Sequence, residues 1–234
     1  MVSKRGQLTL FIILAIIIIA IAIAAFFIFR PQVQNTGEQV TTLKTYLSDV
    51  IRTQINDNII TVMQQGGYAY APAESFQTPY NDVAYWVVEN NSFYPSLEEM
   101  AYNVDLLNFL IGQSNLSAIF PEYQISQGTL ESNTTILDDS VQVSVKWPIT
   151  LKKGTITQTI EKFDFNYEVR LKKLYNAATY TADLVANDTL PSEMPQDMNL
   201  TVYVYDNASL YEIQDSNNNF KLNDQPYNFV FAVK

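Results

Sequence analysis

The chain has 234 residues and a formal net charge of −10, from 24 acidic against 14 basic side chains, with no histidine and no cysteine. That length holds one membrane segment plus one domain of about 200 residues, and the domain has no disulfide framework. The missing residue types exclude the usual zinc sites, Ser-His-Asp and Cys-His nucleophiles and histidine acid/base catalysis. The acidic balance opposes binding to phosphate backbones, so no nucleic-acid partner is expected.

In chain order, residues 1–6 form a short basic leader with Lys4 and Arg5, and residues 7–30 hold the most decisive feature of the sequence. Leu8 to Phe29 is a run of 22 uncharged residues whose only polar side chain is Thr9. At about 1.5 Å per residue, a helix of that length covers a hydrocarbon core of about 30 Å. A transmembrane anchor is therefore predicted. The basic leader places its N-terminus in the cytoplasm and the rest of the chain outside, although Arg30 weakens the charge asymmetry. Residues 31–38 read as a linker and residues 39–234 as an extracellular domain. Six Asn-x-Ser/Thr sequons follow the run, at Asn90, Asn115, Asn133, Asn187, Asn199 and Asn207, and none precedes it. Glycosylation at these positions agrees with the predicted orientation.

Within the domain, Val40, Leu43, Leu47, Val50, Ile51, Ile55, Ile59 and Val62 recur at helical spacing and predict an amphipathic helix, stopped at Gln65-Gly66-Gly67. Ala84 to Val88 reads as a strand. Ser96 with Glu99 forms a capping box ahead of a helix with Leu97, Met100, Ala101, Val104, Leu107 and Ile111 on one face. Glu98 and Glu99 then serve the first turn of that helix rather than catalysis. Val141, Val143 and Val145 alternate with polar residues, and a turn at Lys152-Lys153-Gly154 leads to Ile156–Phe165, which predicts a β-hairpin. The alternation continues through Phe163, Phe165, Tyr167 and Val169. From Lys172 a helical face of Leu174, Ala177, Ala178, Thr181 and Val185 takes over, followed by a loop from Asn187 to Gln196. Leu200, Val202 and Val204 form one further alternating run and Phe229, Phe231 and Val233 another, with a turn at Asn217–Asn219 between them. The fold class expected is α+β: a transmembrane helix continuing toward an amphipathic helix, then a mainly antiparallel β-sheet domain with packed helices.

The N-terminal segment KRGQLTLFIILAIII resembles the class III signal of archaeal type IV pilin-like proteins. That resemblance implies cleavage between Gly6 and Gln7 on the cytoplasmic side, with the apolar segment becoming the mature N-terminus. Phe11 stands where bacterial-type pilins carry Glu. A broader likeness, through QGGY at 65–68, PSLEEM at 95–100, VKWPITLKKG at 145–154 and the VRLKKLYNAA that follows, is to single-anchor proteins of small-genome archaea. It implies a surface location and no particular chemistry.

Two further constellations have both a plain and a sharp reading. Asp215-x-Asn217-x-Asn219 resembles the opening of a calcium loop, but Phe220 replaces the turn glycine and Pro226 stands at the bidentate-Glu position, so a surface turn is expected and no metal or other cofactor. Tyr68, Tyr70, Phe76, Tyr80, Tyr85 and Trp86 are either core and sheet packing or a surface for carbohydrate or partner. The expected function is non-enzymatic and structural or adhesive: a pilin-like filament subunit with the N-terminal helix in a membrane or filament core and a glycosylated outer domain. Its partners would be the lipid bilayer, other copies through their N-terminal helices, and other cells or surface glycans. The alternatives are a non-polymerising envelope receptor or adhesin and a carboxylate-dependent exterior hydrolase.

Overall fold

Helix α1 (Thr36–Gln64) forms where apolar residues recur at helical spacing, and it starts two residues before the boundary expected of the linker's end. The computed structural model describes residues 36–191, 193–217, 221, 222 and 225–234. The predicted transmembrane helix, with Gly6 and Gln7, lies outside the described residues. Among the described residues no helix is long and apolar enough to cross a membrane. The chain divides into two units, Met1–Gln39 and Val40–Lys234. The first is described only in the opening turn of α1.

In the second unit, Leu47, Ile51, Ile55, Ile59, Val62 and Met63 of α1 are buried. The helix stops where the sequence predicts: Gly66 and Gly67 adopt φ of 72° and 90°, a region closed to most side chains, and the Gly67 amide donates to the Val62 carbonyl at 2.7 Å. The chain continues through β1 (Ser75–Gln77), β2 (Asp82–Val88), β3 (Asn91–Ser92), α2 (Leu97–Ile111) and the short α3 (Leu116–Ile119). After these come β4 (Gln124–Gln127), β5 (Glu131–Ile136), β6 (Val141–Lys153), β7 (Ile156–Tyr167) and α4 (Leu171–Ala186). The last part comprises β8 (Met198–Val204), β9 (Ser209–Asp215), β10 (Lys221–Leu222), β11 (Gln225–Pro226) and β12 (Asn228–Val233).

The strands build two main sheets rather than the single one expected, plus the small β10–β11 ribbon. The larger sheet runs β1-β2-β12-β9-β8, with β3 also on β2, and all its pairings are antiparallel except β2 with β12. The smaller sheet is centred on β6, paired with β7 along one side and with β4 and β5 along the other. The β6–β7 hairpin is as predicted, turned at Gly154, whose φ of 63° suits the tight connection. β6 runs on through Trp147-Pro148, where a register shift between Lys146 and Ile149 accommodates the proline.

The inner face of the larger sheet packs on α4. Trp86 of β2 is fully buried, with Phe231 stacked at 4.9 Å between ring centres, Phe229 at 5.2 Å, and Tyr175 of α4 edge-on at 6.0 Å. Its indole N–H donates to the Gly66 carbonyl at 2.8 Å, tying the sheet to the end of α1. α2 begins with the predicted capping box: the Ser96 amide donates to Glu99 Oε2 at 2.7 Å and the Glu99 amide to Ser96 Oγ at 3.2 Å. Those bonds hold the Glu99 carboxyl below its ordinary range. α2 then lies along β5, where a polar seam joins them. Asp105 accepts from Ser132 Oγ at 2.6 Å, Thr134 Oγ1 at 2.7 Å and the Thr134 amide at 3.1 Å. The buried Asn108 donates to Ser132 Oγ and accepts from Asn58 of α1 at 2.9 Å.

Candidate functional site

The sequence singles out the six sequon asparagines, and all six are exposed. Among the described residues the two buried asparagines, Asn56 and Asn108, belong to no sequon. Asn90 sits in the β2–β3 turn at φ of 64°, a conformation asparagine tolerates, and its amide donates to Asp188 Oδ2 at 3.3 Å. That contact brings two sequons together, since Asp188 is the middle residue of Asn187-Asp188-Thr189. Asn187 caps the end of α4 and donates to the Asp183 carbonyl at 2.7 Å. Asn115 caps α3, its side chain accepting from the Ala118 amide at 3.3 Å. Asn207 lies in the β8–β9 turn. Asn133 lies within β5 and Asn199 near the start of β8, each an outer strand of its sheet.

The aromatic group divides as the two readings of it do. Trp86 is core and Tyr68 is half-buried, while Tyr70 and Tyr80 project, Tyr80 with 97% of its surface open. Phe76, Tyr85 and Tyr80 meet residues that the sequence reading did not connect with them. The outer face of the larger sheet, opposite α4, presents Val83 of β2, Val230 of β12, Leu210 and Glu212 of β9 and Tyr203 of β8, with Tyr205 just beyond. Together with Tyr80 these line an open groove of about 530 Å³. Phe76 packs against Tyr205 at 4.9 Å and props its ring beside the groove. At the groove floor the Glu212 carboxylate is fixed by two donors, the Tyr203 hydroxyl at 3.0 Å and Asn228 Nδ2 at 2.6 Å. The bond to Glu212 raises the Tyr203 phenol above the ordinary tyrosine range. The groove thus offers rings with few rotors and an oriented acceptor, which suits a neutral hydroxyl-rich ligand.

The turn that resembles a calcium loop has another role at its first residue. Asp215, fully buried, accepts from Arg170 Nε at 2.8 Å and also from Arg170 Nη2, and Asp197 lies 3.5 Å from Nη1. The Arg170 guanidinium is held above its usual pKa, chiefly by the hydrogen bonds to Asp215. Both Asp215 oxygens face an arginine that would have to leave before a cation could enter. Among the described residues no group of three or more acids stands close enough to hold a metal ion. Asp138 and Asp139, at the loop before β6, pair with Lys172 at 2.7 Å and Lys173 at 2.5 Å on the surface. The basic–acidic spacing hints at neither this link nor the Arg170 pair, because the partners are 34 and 45 residues apart.

Comparison with known protein families, with curated proteins and with solved structures finds no match to this chain.

Proposed function

We propose that this chain is a non-enzymatic surface protein, a pilin-like filament subunit whose N-terminal helix lies in a membrane or filament core and whose outer domain carries glycans. The observation that carries the reading is the uncharged run Leu8–Phe29 placed ahead of a domain in which every sequon asparagine is open to solvent. Lipid accepts that run without cost to any charged group, and the exposed amides meet the first requirement of a glycan acceptor. The acids that the sequence made conspicuous have structural partners, which supports a display role: Glu99 caps a helix, Asp138 and Asp139 pair with surface lysines, and Asp215 holds the buried arginine. A hydrolase would instead need two carboxyls at glycosidase spacing with one raised in pKa.

N-terminal mass spectrometry with glycopeptide mapping, applied to membrane and sheared surface fractions, tests this. The expected result is a chain beginning at Gln7, found in the sheared fraction, with sequon peptides carrying sugar. A membrane-retained chain that keeps Met1–Gly6 would turn the reading toward a solitary envelope anchor, and an unmodified chain in the cytosol would defeat both.

A further inference from the structure

We infer that the groove on the outer sheet face is the resting place of the glycan carried by Asn199, which folds back along β8 over Tyr203 and Tyr205. This rests on the glycoprotein reading above and names the position and the contact that matter.

The register across β8, β9 and β12 supplies the argument. Directly paired residues share a face, so the outer face consists of successive rows. Asn199, Gln214 and Asn228 form the first row, Thr201, Glu212 and Val230 the second, and Tyr203, Leu210 and Ala232 the third. The first row is polar and holds the sequon amide. The third is apolar and rimmed by an exposed tyrosine. A sugar chain rooted at Asn199 therefore meets amide groups first, then the fixed Glu212 carboxylate as acceptor for its hydroxyls, and then the Tyr203 and Tyr205 rings against which the apolar face of a sugar ring packs. Asn199 and Tyr203 are four residues apart on one strand, about 13 Å, within reach of a short oligosaccharide.

Asn133 provides the contrast. Its own rows, through Ser144 to Asp164 and through Thr135 and Gln142 to Asn166, place polar side chains on the outer face of the smaller sheet, and the nearby Val143 and Phe165 are buried. A glycan there has no exposed ring to pack on and extends into water. An acidic groove in a chain of net charge −10 also disfavours anionic sugars, so the glycan at Asn199 is a neutral one.

The test uses the full chain, extracted in detergent from a host that glycosylates exported proteins, with thermal unfolding followed by tryptophan fluorescence and occupancy read by glycopeptide mass. The Asn199 peptide is expected to carry sugar. N199Q should lower the midpoint by about 2–4 °C and N133Q by less than about 1 °C. In a Y203A/Y205A background, where both replaced rings are about half exposed and their own loss is measured first, N199Q should cost almost nothing further. An equal loss in both backgrounds would overturn the proposal, as would a bare Asn199 on a chain whose other sequons are modified. A chain with no sugar at any sequon would remove the glycoprotein reading and this inference with it.

Discussion

β5 and β8 are both outer strands of a sheet and both carry a sequon, yet the protein finishes them in opposite ways. β5 is closed by α2: the amide of Thr134 that would otherwise face outward donates to Asp105, and the same carboxylate takes the Ser132 and Thr134 hydroxyls. Among the described residues β8 pairs only with β9, and Val202, Tyr203 and Val204 are exposed. An unpaired strand with apolar side chains invites pairing with another chain unless something covers it. The difference teaches that one edge is protected by the fold itself, while the other is left open between two exposed sequon asparagines, Asn199 and Asn207, which bracket it.

The largest effect should come from the residue that ends β9, the strand paired with β8. Asp215→Ala removes the buried carboxylate that takes two guanidinium donors of Arg170, leaving Asp197 at 3.5 Å from Nη1, and should cost about 3–5 kcal/mol in urea unfolding. If the loss were under about 1 kcal/mol, the pair would not be what holds β9 to the start of α4. On the other edge, Asp105→Ala strands two hydroxyls and one amide and should cost about 1–3 kcal/mol by the same measurement. It should also expose β5, raising hydrogen exchange at Thr134 above that of its neighbours in β6. No change in exchange there would mean that α2 does not guard the edge. The smallest change in stability belongs to the Val202→Lys, Val204→Lys double variant, within about 0.5 kcal/mol. Its readout is association: unglycosylated Val40–Lys234 should sediment as a concentration-dependent mixture, and the lysine variant as a monomer. A wild-type domain that stays monomeric throughout would show that the open edge needs no cover.

The same two strands show what the sequence could and could not convey. β6, β7 and β12 were legible because one face of each meets the core, so valines and phenylalanines alternate with polar residues. β5, written ESNTTI, gave no such signal, since its inward positions Ser132 and Thr134 meet α2 through hydrogen bonds rather than apolar contact. β9 was missed for the opposite reason. Leu210 on the outer face and Tyr211 and Ile213 on the inner face are all buried, which erases the alternation. α1 and α2 were read well because each brought its own punctuation, the glycine pair after α1 and the Ser96–Glu99 box before α2; α4 was read from its apolar face alone, and the single turn α3 was missed because four residues are too few for a periodic signal. The groove was only half visible. Phe76, Tyr80 and Tyr85 stood out as a local aromatic cluster, whereas Tyr203, Tyr205 and Glu212 join it through pairings more than a hundred residues away in sequence, which no local pattern records.

β12 enters the larger sheet between β2 and β9, so strands made early wait for residues 228–233 before their central partner arrives. The β6–β7 hairpin needs only a two-residue turn and can form while synthesis continues; the larger sheet spans almost the whole domain and is correspondingly slow to close. Trp86 and its neighbours therefore stay uncovered for longer than the hairpin core, and Asn199, on the strand beside β9, stays open to solvent throughout that interval.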